Sequence, residues 1–571
     1  MAEFIKTQNS FAHGAVDTEF YARDNINGLS CLENMDVLSG GGLSRRAGLR
    51  SVADLPGVAR LVTFSVSNDA EYILALLDNH LHIYHHGTRI QDIITPWSFA
   101  DTELLQYAQR FSTMIFVHPD HCPQVLYRQD GRFYIKEFTF ERNDTDLSVR
   151  IPFVRFDDSA DIKITVSTHS SGNNYARFTT NRDFWTPDNL DSRLYLLDRQ
   201  WTIQEYISPT EVVAYTNGTY SIPSAAVTDW RESAFGARRG WPRSITFHQD
   251  RLVFGGSRDW PGGIWMSQVG RHYNFDTGTG LDDQAIFISL LSAQRQQICT
   301  VVSSDNLQIL TNVGEWAISN KPLTPSSVDI KQHTSVGSYS ARYLPPQKIE
   351  GATTFISGNG RDIRELCLDE LGENYNARDL CSLSKHLIGD PMDTAYNGTT
   401  HQLFIVRTDG QMAVLNQNSA LGISAWGTYR TSGRFISVAV CDGVTYSVVE
   451  RDGMFGLECF DQTVFQDAGK YPYSFIASGL PLRTSGHSAT RLKVRKVVAR
   501  VLNTKALHIN TQRVVFPDNI QDAASPGFSG DVSVSLLGTT TNCVSPIWTI
   551  HGTESAPVTV LSVSTHGWYT V

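Results

Sequence analysis

The chain has eight cysteines and no Cys-x-x-Cys pair among them: Cys31, Cys122, Cys299, Cys367, Cys381, Cys441, Cys459 and Cys543 are scattered over 571 residues. Structural zinc sites and disulfide scaffolds both use tighter spacing, so neither organises this fold. The expected state is free, mostly buried thiols of a reducing compartment. No apolar run approaches the ~20 residues of a membrane helix. The opening residues, Met1 to Gln8, lack the apolar core of a signal peptide. These absences predict a soluble protein synthesised in the cytoplasm. Charge is also scarce. Asp, Glu, Lys and Arg make up 19% of the chain, below the roughly one quarter usual in soluble domains, which suits a protein that buries surface against partners. A formal charge of −10 argues against general nucleic-acid binding by phosphate neutralisation.

Catalytic and metal-binding signatures are missing too. There is no Gly-x-Ser-x-Gly elbow, no phosphate loop and no Ser-x-Asp-x-Gly-x-x-Trp turn of the propeller sialidases. Asp157-Asp158 and Asp282-Asp283 are adjacent pairs; on a strand, neighbours point to opposite faces and make poor acid–base partners. His80 and His82 share a strand face beside His85 and His86, but no Cys or carboxylate stands at matching spacing. His118 and His121 flank Pro119-Asp120 and read as a turn. The sequence therefore predicts no enzyme, no metal and no cofactor.

What is present is short apolar alternation broken by turns. In the stretch from Trp241 to Phe275, Ile245 and Phe247 alternate with polar neighbours. Leu252 and Phe254 do so after a polar corner, and Ile264 to Ser267 follow Pro261-Gly262-Gly263. Period-two alternation at this spacing marks an antiparallel meander. Similar units begin at Leu61, Met114, Ile298, Thr353, Leu403 and Thr445, with Asp-Gly hairpin signals at 130–131, 409–410 and 452–453. One meander cannot bury its own apolar face, so the expectation is an all-β chain built on a β-propeller of about seven blades.

The spacing divides the chain. Residues 1–58 are glycine-rich and weakly periodic, so they must lie along another surface; within them Arg45-Arg46 fits either a phosphate nest or a solvated or partner-facing charge pair. Residues 59–142 hold the first blades and 240–462 the remaining ones. Residues 143–239 break the spacing and read as an inserted β-rich domain, too long for a structureless loop. Residues 463–571 read as a separate β domain. In it Arg491, Lys493 and Arg495 alternate with Leu492 and Val494, giving a strand with one basic and one apolar face. That face fits DNA, an acidic neighbour subunit, or plain solvation. A propeller brings its first and last blades together, so the N-terminal segment is expected to pack on the C-terminal domain as a platform. A chain lacking residues 1–54 is then expected to keep a folded propeller.

Taken in order, several motifs resemble the tail nozzle (tail tubular protein B) family of short-tailed bacteriophages. They are Phe11-Ala12-His13-Gly14, Ala22-Arg23-Asp24, Leu32-Glu33-Asn34 and Gly41-Gly42-Leu43-Ser44-Arg45-Arg46-Ala47-Gly48 near the start. Tyr107-Ala108-Gln109, Met114 to Pro119, Trp241-Pro242, Phe247-His248-Gln249-Asp250-Arg251-Leu252 and Phe254-Gly255-Gly256 follow. Gly314-Glu315-Trp316, Gly360 to Glu365, Asp379-Leu380 and His386-Leu387 complete the series. Ala15 and Ala47 depart from the family's usual Glu and Pro. The resemblance implies a structural subunit of a ring, most often of six copies, below the portal and adaptor of a virion tail. Double-stranded DNA would pass through its lumen, and tail fibre or needle proteins would be neighbours. Arg45, Arg46, Arg491, Lys493 and Arg495 are the candidate assembly surface. A baseplate receptor- or glycan-binding component is the alternative, with Trp185, Trp201 and Tyr206 of the insert as its platform; a polysaccharide-degrading propeller is a third class.

Overall fold

The structure, a computed structural model, describes residues 2–22, 26–67, 70–145, 147–290, 296–369, 374–482, 491–517, 526–536, 540–541 and 545–570. Arg23, Asp24, Cys543 and the Asn68-Asp69 corner lie outside the described residues. The chain divides into two compact units, one of Met1–Ile94 with Leu344–Val571 and one of Thr95–Tyr343.

In the first unit, three complete meanders of four antiparallel strands follow the chain. They run from Arg60–Ser67 to Thr88–Ile94, from Gln347–Ile349 to Tyr375–Asp379, and from Pro391–Asn397 to Ile423–Tyr429. A fourth consists of Arg434–Cys441, Val444–Arg451, Met454–Asp461 and, as its outer strand, Gly48–Leu55. The second unit holds three more: Gln106–Arg110 to Arg132–Glu137, Ser244–His248 to Ile286–Ser289, and Ile298–Ser303 to Ile330–Thr334. Within each unit the first strands of successive meanders pack on one another, Gln106–Arg110 on Ser244–His248 and Pro391–Asn397 on Arg434–Cys441 among them. Seven four-stranded meanders in chain order are the blades of a β-propeller. Non-glycine residues with positive φ mark the hairpins: Asp130 and Asp452, at φ 51°, precede glycines at 80° and 77°, the backbone of the tight turns that match strand twist.

The strand Gly48–Leu55 revises the boundary expected at residue 58, since eight residues of the glycine-rich segment belong to the last blade. Gly48 is required by close approach rather than by a left-handed turn. A Cβ there would stand 2.5 Å from the Gln466 carbonyl oxygen and 2.6 Å from that of Val464.

The rest of the N-terminal segment joins the C-terminal domain. One sheet runs Phe528–Ser535, Arg491–Thr504, Thr559–Thr570, Leu43–Arg45, Met35–Val37, with Ala2–Gln8 also paired to Thr559–Thr570. Cys31–Glu33 continues the sheet of the sixth blade, lying between Ile423–Tyr429 and Phe475–Ser478. Phe11, Leu29, Leu32, Met35 and Leu43 are buried in one core with Phe475, Val497, Trp548 and Val563. Neither end of the chain could bury these side chains alone, and together they form the platform.

The insert of the second unit is a seven-stranded sheet from Phe153–Val154 to Trp230–Ser233. Its core holds Phe178, Trp185, Trp201 and Trp230. Trp185 is 2% and Trp201 0% exposed, and the Trp201 indole donates to the Leu196 carbonyl at 3.1 Å. These two tryptophans therefore pack the insert's interior and offer no binding platform, and Tyr206 packs against the same core.

Candidate functional site

The open face of the platform sheet is the strongest candidate. Along Arg491–Thr504, Leu492, Val494, Val497, Ala499 and Val501 are buried, while Lys493, Arg495, Lys496 and Arg500 are exposed. Two consecutive cations share the open side because the register against Thr559–Thr570 shifts between Val494 and Lys496, leaving Arg495 as the extra residue. Such a bulge re-aims side chains without ending the strand. Arg500 pairs with Asp531 at 2.8 Å, and that hydrogen bond draws the Asp531 carboxyl below its ordinary value. Lys493, Arg495 and Lys496 have no carboxylate partner among the described residues. The side chain of Arg491 lies outside them.

The register adds residues that no reading of single segments could join. Lys493 stands opposite Trp568 and Lys496 opposite His566; across that strand, Glu3 and Ile5 stand opposite the same two residues. Ile5 is 64% exposed. The face thus carries an apolar spot, Ile5 with half-buried Trp568, between exposed Glu3 on one side and a row of cations without carboxylate partners on the other. An exposed apolar spot rimmed by charge is the make-up of an association surface.

Arg45 and Arg46 do not belong to it. Arg46 is fully buried: its guanidinium meets Asp467 at 2.8 and 3.1 Å, donates to the Asn34 side chain at 2.8 Å, and lies 3.7 Å from the Tyr473 ring centre. Burial works against this charge, but Asp467 and Tyr473 outweigh it and hold the Arg46 pKa above its ordinary value. Arg45 is 4% exposed and donates to the carbonyls of Glu554, Ala556 and Tyr473; burial pushes its pKa down. Two adjacent arginines thus serve as internal clamps. The central motif behaves alike, with buried Arg251 donating to the carbonyls of Ser267, Asp282 and Gln284 and Gln249 tying Asn320 and Leu323.

The remaining polar candidates also have structural partners. His80 and His82 share a face, and both approach Asp92, at 3.0 and 3.6 Å. Burial pushes the His82 pKa down. Among the described residues no cluster of three or more His, Cys, Asp or Glu is arranged to hold a metal ion. His118 is pushed down to about 4 by burial, and His121 meets Asp101 at 3.3 Å. Asp158 binds Arg239 at 2.9 Å, and the Asp282 carbonyl is spent on Arg251.

Asp36, on the platform strand Met35–Val37, closes a cavity of about 360 Å³ against the sixth blade. Its carboxylate accepts from the Tyr429 hydroxyl and from Gln402 Nε2, the latter at 2.8 Å. Burial nevertheless raises its pKa from 3.8 to about 6. An acid whose folded pKa is raised contributes stability that is full below its unfolded pKa and is lost as pH rises through the folded one. Asp36→Asn removes that dependence. Between about pH 4 and pH 6 the native protein is expected to lose on the order of 2 kcal/mol relative to the variant. Urea midpoints of both proteins at the two ends of this window check it; parallel pH profiles refute it.

By topology the chain is a β-propeller protein with an inserted sheet and a platform made from both of its ends. No family model and no curated protein matches it. Among solved structures it is similar to the WD40 repeats of RRP9, at 7% identity and a TM-score of 0.38, over 73% of this chain and 98% of that one. It is also similar to BamB from Moraxella catarrhalis, at 11% identity and 0.33, over 72% and 98%. The β-propeller domain of Cps50 (Swd1) from Myceliophteria thermophila matches at 10% identity and 0.33, over 72% and 99%. The propeller assignment rests on the seven meanders themselves. No helix among the described residues is long and apolar enough to cross a membrane.

Proposed function

We propose that the chain is a non-enzymatic, nozzle-type ring subunit of a bacteriophage tail, forming part of the conduit through which DNA leaves the virion. The observation that carries this reading is the open platform face, where Lys493, Arg495 and Lys496 are unpaired beside Ile5 and Trp568 on a chain whose formal charge is −10. Such a face complements a second copy of net negative charge, and contact repeated by rotation closes a ring. An acidic subunit also suits a channel that lets DNA slide, because a strongly basic lining would hold it by counterion release. The resemblance of the sequence motifs to the tail nozzle family supports six copies, with the portal-side adaptor and a fibre or needle protein as neighbours.

Native mass spectrometry of the purified protein, alone and with the adaptor, tests this. A ring of six is expected, and a strict monomer under both conditions refutes it. Lys493→Glu with Arg495→Glu is expected to abolish the ring while leaving the melting temperature of the subunit unchanged. Facing like charges cost several kcal/mol in total, on the order found for mismatched interfaces. Normal rings that eject DNA slowly would instead move this strand to the lumen.

A further inference from the structure

The second unit contains a cleft of about 1140 Å³ that the ring reading does not use. One wall is the polar face of the insert's sheet. Along Arg193–Leu196, Leu194 and Leu196 enter the core, so Arg193 and Tyr195 face outward. Arg231 stands opposite Tyr195 in register, with its guanidinium 5.0 Å from the ring centre, and Phe153 flanks that ring at 5.8 Å. Arg142 extends the cationic wall. The other wall comes from the third and fourth blades, where Asp276, Thr277, Gly278 and Gly280 line the cleft beside half-buried Phe287, Ile288, Pro325 and Val328.

The arginines here are under-compensated. Arg150 pairs with Asp276, but Arg142, Arg193, Arg199 and Arg231 have no carboxylate within salt-bridge distance among the described residues. Arg193 donates only to the Thr202 hydroxyl, at 3.1 Å, and Arg199 to the Thr219 carbonyl, at 2.6 Å, with its buried Nε unpartnered. Burial, and then the neighbouring Arg142, push the Arg193 pKa down against the pull of Asp191; five arginines against Asp191, Asp198 and Asp276 leave the lining net positive. Elsewhere the chain buries arginine with a carboxylate, as at Arg46–Asp467 and Arg239–Glu232, or against carbonyls, as at Arg251.

We infer that this cleft binds an acidic oligosaccharide, its carboxylates held by Arg193 and Arg231 with Arg142 nearby, and a sugar ring stacked on Tyr195. Guanidinium–carboxylate recognition is bidentate and strong. Asp191 and Asp198 at the rim accept sugar hydroxyls. A mainly polar cleft with half-buried apolar side chains on one wall suits a saccharide, whose rings are amphiphilic, better than a duplex, which is anionic on every side. The volume exceeds the ~300–1,000 Å³ of ordinary small-molecule pockets, which fits an extended ligand. The inference stands whether or not the protein forms a ring.

Titration calorimetry of the full chain with oligogalacturonate, oligosialic acid and a hyaluronan oligosaccharide tests it, with methyl-esterified oligogalacturonate and a short DNA duplex as controls. At least one acidic oligosaccharide is expected to bind and to weaken with salt. Its neutral ester, and the Arg193→Ala/Arg231→Ala variant with the acidic probe, are each expected to bind at least about tenfold more weakly. Arg231 is exposed, so Arg231→Ala alone leaves the fold intact by thermal melting and must still weaken binding. Absence of binding by all three acidic probes at millimolar concentration, equal affinity for the neutral ester, no change in either variant, or preference for the duplex overturns the inference.

Discussion

Arg46→Ala is expected to cost the protein about 3–5 kcal/mol, the range for breaking a buried ion pair by removing one partner. The loss does not come from Coulomb attraction alone. Asp467 is 0% exposed, and without Arg46 its carboxylate is a buried charge whose guanidinium partner is gone. The Asn34 side chain and the carbonyls of Ala47 and Arg430 lose a donor at the same time, and the Tyr473 ring loses the nearer of its two cations, Arg45 remaining at 4.3 Å. Arg46→Lys should recover only part of the loss, because an ammonium cannot serve both Asp467 oxygens and three further acceptors in one plane. Arg46→Ala with Asp467→Ala should be less damaging than the sum of the two single changes. Urea denaturation measures all four; a single variant within about 1 kcal/mol of the native protein contradicts the clamp.

The larger effect is expected from removing residues 1–54. Sequence alone predicted a surviving propeller, and the structure reverses that expectation. The truncation removes all but Leu55 of the strand Gly48–Leu55, exposing the full edge of Met454–Asp461. It also empties the platform core of Leu29, Leu32, Met35 and Leu43. An unpaired edge beside an opened apolar core is an aggregation template. Insoluble protein without a cooperative melt is expected, whereas removing residues 1–8 alone should leave a soluble subunit, since Thr559–Thr570 keeps Arg491–Thr504 as a neighbour. A monodisperse, cooperatively melting chain without residues 1–54 would show that the last blade closes unaided.

The blades were legible wherever a strand is half-buried and its turn has a chemical signature. Asp130-Gly131 and Asp452-Gly453 are such turns. Outer strands such as Thr88–Ile94 were missed because most of their residues are exposed, so alternation carries no apolar signal. Gly48–Leu55 was hidden for another reason: its partner lies some four hundred positions away, and nothing local records which sheet a strand will join. The same distance conceals the role of Arg46. Two adjacent arginines look alike in sequence whether they face solvent or a carboxylate brought from position 467. The basic strand could be read because its partner is solvent; the bulge at Arg495 and the company of Ile5, His566 and Trp568 could not, since they depend on register between strands far apart in sequence.

Leu43–Arg45 is a strand of the platform sheet and Gly48–Leu55 is a strand of the last blade, and only Arg46 and Ala47 separate them. Two residues, one of them locked on five acceptors, leave no slack. Tension applied to the platform therefore passes into the blade as shear along a continuous strand rather than being absorbed by a linker. Under load, in a single-molecule pulling experiment for instance, platform and last blade should yield in one rupture event, and Arg46→Ala should split that event in two.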